Sequence, residues 1–329
     1  MADKQNIKDL CKEEMEELFQ KNGFTKYRAT QVLDWIYKDI DGFIQMENIP
    51  SNLITLLDNN FFIYKTRVME KRISKDGTIK FLLGLKDGNA VECVLMEYKY
   101  GFSLCISTQV GCRMNCRFCA STEGGLIRNL TLGEMIEEVM AATRETGKKV
   151  SNIVLMGIGE PFDNYDEVMK FLRTVNLKNS FNIGMRHITL STSGLVPKIY
   201  EFADEELQCN LAVSLHSAND NKRSKLMPIN KKYGIDELIN ACKYYVKKTN
   251  RRISFEYILI DGINDGILEA LELCNLVKSM LCYINLIPIN YVEDKKLRKP
   301  DESRIEKFKE VLRQHNISFT VRRELGQDI

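Results

Sequence analysis

Three cysteines fall within eight residues in the run Cys112-Arg-Met-Asn-Cys116-Arg-Phe-Cys119. Spacings of four and three on a tight loop let three thiolates surround one cubane iron–sulfur cluster, and soft sulfur ligands suit zinc as well. Structural zinc sites, however, normally complete four protein ligands, often through paired Cys-x-x-Cys spacings. No second cysteine pair or nearby histidine follows Cys119. Cys105 is the other candidate ligand, but its neighbours place it within a strand rather than on the loop. Three ligands leave one iron open, which is what a cluster that binds a small molecule needs.

The remaining candidates sit where strands are expected to end. Met156-Gly157-Ile158-Gly159-Glu160-Pro161 offers two glycines for close backbone approach and one carboxylate that can accept from an ammonium group. Taken alone, the same residues also fit a turn with a solvent-facing glutamate. Ser191, Thr192 and Ser193 either cap the following helix or hydrogen-bond a bound carboxylate or ribose. Ser214 and His216 end a further strand, with His216 either a satisfied structural histidine or a site residue, and Asn290 is open in the same way.

Those strand ends follow from the hydrophobic pattern. The first 60 or so residues read as helices, with Leu10, Met15, Leu18 and Phe19 on one face and Val32, Leu33, Ile36 and Tyr37 buried in a second stretch over 27–37. The period then changes. Strands are expected over 61–69, 78–83 and 90–98, separated by the turn-forming runs SKDG and KDGN. From Phe102 onward short apolar strands (103–107, 153–156, 187–190, 211–215, 253–259 and 284–287) alternate with helical stretches, notably 132–144, 165–175, 235–247 and 267–279. That alternation argues for parallel strands with crossover helices, in a partial barrel or a doubly wound sheet. A last helix over 302–315 and a strand over 318–323 follow.

A chain of 329 residues with 44% apolar and 28% charged residues can build one large core and a smaller domain. The net charge of +2 excludes neither RNA nor small molecules, because local patches matter more than the total. The amino end has no apolar run resembling a signal peptide, and no stretch approaches the roughly 20 apolar residues a membrane span needs. No membrane association is expected. Ten cysteines, three clustered and the rest scattered, read as free thiols in a reducing cytoplasm.

The CxxxCxxC pattern, with Phe118 just before the last cysteine, resembles the radical S-adenosylmethionine (SAM) superfamily. In that superfamily the amino and carboxylate groups of SAM chelate the open iron of a [4Fe–4S] cluster. One electron then cleaves the sulfonium to methionine and a 5′-deoxyadenosyl radical. Further motifs resemble a narrower family, the RlmN/Cfr group of radical SAM RNA-adenine methyltransferases. They are VECVLM (91–96), SLCISTQVGCRMNCRFC (103–119), MGIGEP (156–161), HITLSTSG (187–194), SLHS (214–217), MPINKKY (227–233) and NLIPIN (285–290), in order and covering nearly the whole chain. The Glu160-Pro161 pair and the Gly111-Cys112 context look more like the RlmN members, which methylate C2, than the Cfr members, which methylate C8.

The resemblance implies an α/β fold: a partial (β/α)6 radical SAM barrel with an N-terminal helical accessory domain. The expected divisions are helices at 1–60, an antiparallel extension at 61–100, the barrel at 101–300, and a terminal helix and strand at 301–329. Cys112, Cys116 and Cys119 would ligate the cluster, and Gly159, Glu160, Ser191, Ser214, Leu215, His216 and Asn290 would line the SAM site. The substrates implied are an adenosine in the peptidyl-transferase region of 23S ribosomal RNA and the adenosine 3′ of certain tRNA anticodons. An electron donor such as flavodoxin or ferredoxin and a monomeric enzyme complete the expectation.

An aromatic C2–H is neither acidic nor nucleophilic, so the family route is radical. One SAM methylates a cysteine near the carboxyl end, and a second yields the radical that abstracts hydrogen from the S-methyl group. The methylene radical adds to adenine, and Cys105 resolves the protein–RNA crosslink as a disulfide bond forms, which needs a reachable thiolate. Read without the family, Cys105 is an inert strand cysteine. The methyl-carrying cysteine follows Gly-x-Asp-Ile-Asp-Ala-Ala-Cys-Gly in the family, whereas this sequence reads Gly326-Gln327-Asp328-Ile329 and stops four residues before that position. None of Cys209, Cys242, Cys274 or Cys282 matches it. The expectation is an omitted tail, and a chain that, as written, binds the cluster without methylating RNA.

Basic residues concentrate in the carboxyl half: Lys222, Arg223, Lys225, Lys231 and Lys232; Lys247, Lys248, Arg251 and Arg252; Lys295, Lys296, Arg298 and Lys299. They form either a phosphate-holding rim or an ordinary charged surface. The acidic run Glu13, Glu14, Glu16, Glu17 argues against RNA on one face of the amino-terminal helices. Two other classes stay in view: a radical SAM enzyme with another substrate (the C8 relative or a peptide modifier), and a noncatalytic metal-stabilised RNA-binding protein.

Overall fold

The chain is described by a computed structural model over residues 4–289, 297–323, 325–326 and 328–329. The amino-terminal segment runs β1 (Gln5–Asn6), α1 (Lys12–Lys21), α2 (Tyr27–Ile36), α3 (Ser51–Asn60) and β2 (Phe61–Phe62), with β1 and β2 paired in parallel. Apolar residues three and four apart close its own core, in which Met15, Phe19, Val32, Leu33, Leu53 and Leu57 are buried. The acidic run in α1 is partly used internally. Glu14 accepts from the Cys11 N–H at the helix start and pairs with Lys170 at 2.7 Å.

The strand expected over 61–69 is interrupted. Only Phe61 and Phe62 pair with β1, and the long strand begins later, at β3 (Arg67–Ile73). With β4 (Ile79–Gly84) and β5 (Ala90–Tyr98) it forms an antiparallel meander that joins β6 (Gly101–Cys105). Next comes a hairpin that the sequence pattern did not announce, β7 (Gln109–Gly111) with β8 (Leu126–Asn129). Then α4 (Leu132–Thr146), β9 (Val150–Leu155), α5 (Tyr165–Asn176), β10 (Ile188–Thr192), α6 (Val196–Asp204), β11 (Asn210–Ser214), α7 (Asp220–Leu226), α8 (Ile235–Thr249), β12 (Ile253–Leu259), α9 (Ile267–Val277), β13 (Cys282–Pro288), α10 (Glu302–Gln314) and β14 (Phe319–Val321) alternate.

In the ten-stranded sheet the order is β14-β13-β12-β11-β10-β9-β6-β5-β4-β3. From β6 to β14 every pairing is parallel and the order follows the chain without reversal. A doubly wound sheet needs a reversal of strand order, so that alternative falls. Right-handed crossovers repeated in one direction put every helix on the same face and curl the sheet into a partial barrel. Leu104, Ile153, Leu155, Ile188, Leu190, Leu211, Val213, Phe255 and Leu286 belong to the core that Val139, Phe171, Phe202, Leu238, Leu273 and Phe308 complete from the helices.

The two far edges of this sheet are tied together. Asp328 accepts from the Ser74 hydroxyl at 2.5 Å and from the Lys75 N–H at 3.3 Å. In return the Gly326 N–H donates to Asp76 at 2.8 Å. The turn between β3 and β4 thus clasps the segment after β14.

Helix α4 is buried along most of its length, including Glu134, Glu137 and Glu138. Thr131 caps its start by accepting from the Glu134 N–H, and Gly147 closes its end in the left-handed region at φ 67°. Each buried acid has a partner, although Glu138 Oε1 has none among the described residues and burial raises the pKa of that group. Glu134 takes two hydrogen bonds from Arg128 of β8 (2.7 and 2.8 Å), and Glu138 accepts from the Ser107 N–H at 2.9 Å. Glu137 pairs with the wholly buried Lys8, accepts from the Thr66 N–H at 2.8 Å, and lies 3.3 Å from Arg144. Arg144 in turn reaches Asp39 at 2.9 Å. The accessory helices are therefore fastened to the barrel by charge as well as by apolar contact.

Removing one member of a buried pair strands the other charge. Lys8→Met is expected to lower stability by about 3 kcal/mol in urea unfolding; a loss below about 0.5 kcal/mol would show that Arg144 alone satisfies Glu137. A second expectation concerns the hairpin. Gly111 has φ +73°, and a Cβ there would lie 1.9 Å from the Gly125 carbonyl, whereas a Cβ at Gly124 meets nothing within 4 Å. Gly111→Ala should therefore lower the thermal midpoint far more than Gly124→Ala, and equal effects would contradict the close approach.

Candidate active site

The cysteine run is the connection of the β7–β8 hairpin. Cys112 N–H donates to the Gly125 carbonyl at 2.8 Å, Arg117 N–H to Leu226 O at 2.9 Å, and Cys119 N–H to Cys116 O at 3.1 Å. Asn115 takes the left-handed conformation at φ 52° that lets the loop turn between its cysteines. An Arg113–Asp163 ion pair holds it from outside. Cys112, Met114 and Cys116 bury their side chains among Leu226, Met227, Ile258, Ile260 and Ile289.

All three cysteines face one cavity of about 200 Å³, together with Phe118, Gly159, Glu160, Ser191, Ser193, Ser214 and His216. Eight of the ligand and SAM-site residues expected from sequence are thereby brought together. Leu215 is not among the cavity walls; its side chain is fully buried in the main core, because strand alternation turns it away from Ser214. Asn290 lies outside the described residues.

Glu160 is 2% exposed, and its carboxylate accepts from the Phe162 N–H (3.0 Å) and the Ser193 N–H (2.6 Å). It is a buried wall residue rather than a solvent-facing glutamate. Burial raises its pKa, opposed by those two N–H donors. The preceding glycines are required by space: a Cβ on Gly157 would sit 2.6 Å from the Ile106 carbonyl, and one on Gly159, at φ +112°, 2.7 Å from Gln109. The serines do not cap the next helix, since α6 starts without a side-chain cap.

His216 sits at φ 57° with its ring edge-on to Phe118, centroids 4.6 Å apart. Its Nδ1 accepts from the Ile258 N–H at 3.0 Å, which leaves the proton on Nε2. Burial, with the Arg223 charge nearby, pulls its pKa down to about 3, so the ring is neutral. Asn264, which the sequence reading passed over, fixes this turn by donating to His216 O (2.7 Å) and Ile258 O (2.6 Å).

Arg223 was grouped with an exposed basic cluster, either a phosphate-holding rim or an ordinary charged surface. It is instead fully buried, donating to Leu215 O (3.1 Å), Asn230 Oδ1 (2.7 Å), Ser193 O (2.8 Å) and Ser214 O (2.9 Å). Carbonyls beyond two strand ends have no ladder partners, and one guanidinium satisfies them. Of the other basic residues, Lys222 pairs with Glu269 and Lys248 with Asp204 and Glu206. Lys225, Lys231, Lys232, Lys247, Arg252 and Arg298 are exposed, and Lys295 and Lys296 lie outside the described residues.

The inward faces of the strands carry a signal that sequence reading missed. Closed (β/α) barrels fill their interior with branched aliphatic layers. Here Ser103, Thr189, Asn210, Ser254, Glu256, Asn285 and Thr320 line a second cavity of about 850 Å³. It shares Met156, Glu256 and Arg322 with the first. The alternation was legible in Ile188-Thr-Leu-Ser-Thr192, where Thr189 and Ser191 alternate with buried Ile188 and Leu190. Cys105 ends β6 on the same face as Ser103, half-buried. Burial pushes its thiol up to about 11, and the Arg322 charge acts in the opposite sense.

Burial likewise pushes Cys112 up to about 11 and Cys116 to about 12. Among the described residues no three His, Cys, Asp or Glu converge tightly enough for a single metal ion. Three soft donors around one cavity, with a carboxylate, hydroxyls and a neutral imidazole among its other walls, fit a larger sulfur-ligated cluster carrying an amino-acid-like ligand. No helix among the described residues is long and apolar enough to cross a membrane.

Comparison with known proteins agrees. Residues 106–274 match the radical SAM superfamily, and residues 5–63 match the ribosomal RNA large subunit methyltransferase N-terminal domain. A probable dual-specificity RNA methyltransferase RlmN of Clostridium perfringens is 52% identical over 98% of this chain and 94% of that protein. Its counterpart in Thermoanaerobacter sp. is 53% identical over 98% of this chain and 95% of that protein. A radical SAM methyltransferase structure from Sphaerobacter thermophilus superposes with a TM-score of 0.92 at 43% identity, covering 99% of this chain and 97% of the other. With its cysteine hairpin and partial barrel in that company, this chain belongs to the RlmN family of radical SAM methyltransferases, which use a [4Fe–4S] cluster and SAM.

Proposed function

We propose that this protein, together with the family's methyl-carrying cysteine, methylates C2 of an adenosine in 23S ribosomal RNA and in tRNA. The observation that carries the reading is the convergence of Cys112, Cys116 and Cys119 with Glu160, Ser191, Ser214 and His216 on one cavity, in a chain 52% identical to a protein named as a dual-specificity RNA methyltransferase. When bound, the cluster and SAM supply the one-electron chemistry that an unactivated aromatic C–H requires.

The protein's own groups hold and orient. The three thiolates would hold the cluster on a hairpin loop tied down by the backbone hydrogen bonds of Cys112, Arg117 and Cys119, and metal binding, by releasing protons, overcomes the raised pKa values of Cys112 and Cys116. Glu160 keeps a lone pair on each oxygen beyond its two backbone donors, so it can accept from the SAM ammonium without moving. Ser191 and Ser214 offer hydroxyls, and His216 offers a fixed Nε2–H donor. Gly159 lets the backbone approach closely. Asn290, on the family pattern, adds a further contact. Cys105 must lose its proton to attack sulfur, and the cationic Arg322 favours that thiolate. A small redox protein such as flavodoxin or ferredoxin supplies the electron, and the enzyme acts as a cytoplasmic monomer.

The test combines product and variants. In a chain that carries the family's methyl-bearing cysteine, reconstituted without oxygen, mass spectrometry of digested RNA should find 2-methyladenosine; 8-methyladenosine would transfer the protein to the C8 group. Cys116→Ala should lose cluster absorbance and product together. Cys105→Ala should keep the cluster and SAM cleavage while product falls at least 100-fold, and product near wild-type levels would remove Cys105 from the reaction.

A further inference from the structure

The cavity that holds the cysteines is about 200 Å³, smaller than the roughly 300–1,000 Å³ typical of a single ligand cleft. An adenosine must therefore occupy space beyond it. The adjoining cavity of about 850 Å³ opens between β14 and β5 and runs to the amino ends of β10–β13. Its only acid among the described wall residues is the buried Glu256, against three arginines, Arg252, Arg322 and Arg323. The Arg252 guanidinium lies over the Tyr283 ring at 4.7 Å. Across the opening Tyr98 and Tyr100 stack at 5.0 Å with planes 5° apart, and Tyr100 is 66% exposed. Exposed stacked rings beside arginines are how proteins hold unpaired nucleotides, with stacking on the bases and guanidinium groups on phosphates.

We infer that this lateral cleft is where single-stranded RNA enters, with Tyr98, Tyr100 and Tyr283 as stacking platforms and Arg252, Arg322 and Arg323 as phosphate contacts. The target adenosine reaches the shared wall at Met156, Glu256 and Arg322 from this side, opposite the cysteine loop. The inference rests on the RNA-methylating reading and assigns its substrate path. It also relocates the basic contacts: the residues at the cleft are Arg252 of the expected clusters and two arginines after β14 that belonged to none.

The test measures binding of a hairpin RNA with an unpaired loop adenosine to the cluster-loaded full chain, by fluorescence anisotropy across a salt series. Tyr100→Ala is expected to weaken binding about tenfold, and Arg252→Ala and Arg323→Ala to reduce the salt slope by about 0.7 each. The spectral change of the cluster on adding SAM should be unaltered in all three, and thermal midpoints check folding; Tyr100→Phe should restore affinity. Unchanged RNA affinity and salt slope in folded variants overturns the cleft assignment, as does loss of the SAM response in parallel with RNA binding. If the wild-type chain binds this RNA through the cleft but the enzyme yields no methylated adenosine, the cleft stands and the methylation reading fails. Methylation that survives intact in the cleft variants has the opposite meaning.

Discussion

Three carboxylates on one buried helix hold the molecule together. Glu134, Glu137 and Glu138 of α4 leave water in directions that suit three different partners: the hairpin that carries the cysteines, the accessory helices, and the backbone at Ser107 where β6 ends. A carboxylate in an apolar helix interface is costly unless its oxygens are met. Each contact offsets part of that cost, which couples the position of the cysteine loop to the docking of the amino-terminal segment. Accessory domain and reaction centre are one electrostatic unit, although their apolar cores are separate.

The barrel itself divides its two faces by chemistry. Outward residues of the parallel strands are large and apolar and meet the helices; inward residues include Ser103, Thr189, Asn210, Ser254, Glu256 and Asn285 beside Val154, Met156 and Tyr283. A polar lumen gives up the aliphatic filling that stabilises closed barrels, and the backbone groups freed at its rim need other partners. Arg223 supplies them for the ends of β10 and β11, and Asn264 for the His216 turn. Both lie behind the cavity wall, so the geometry facing the cavity depends on residues with no view of it.

How much of this was legible beforehand follows from what each signal measures. Strand 253–259 and the starts of the helices at 132, 165, 235 and 267 were readable because buried periodicity is local. The cysteine spacing and the strand-end motifs named eight residues of the cavity wall, while Glu256 and Arg322, which also line it, were passed over. The β7–β8 hairpin escaped because its strands are short and its turn is a long metal loop rather than a two-residue turn. Arg223 misled because charge in a run of basic residues reads as surface, and only the convergence of four acceptors from separated segments makes its burial tolerable. Tyr98 looked like an ordinary strand residue and Tyr100 fell in the connection after it, since nothing local says that a sheet will curl past them.

The clasp between the Ser74–Asp76 turn and Gly326–Asp328 joins groups about 250 residues apart in the chain. Loop-closure entropy makes a contact of that separation cheapest to form once the intervening strands have ordered. Interactions absent from the folding transition state act on the rate of opening rather than of closing. A clasp formed in that order is a kinetic fastening: weakening it would leave the barrel assembling at the same pace but shorten the time its edges stay together.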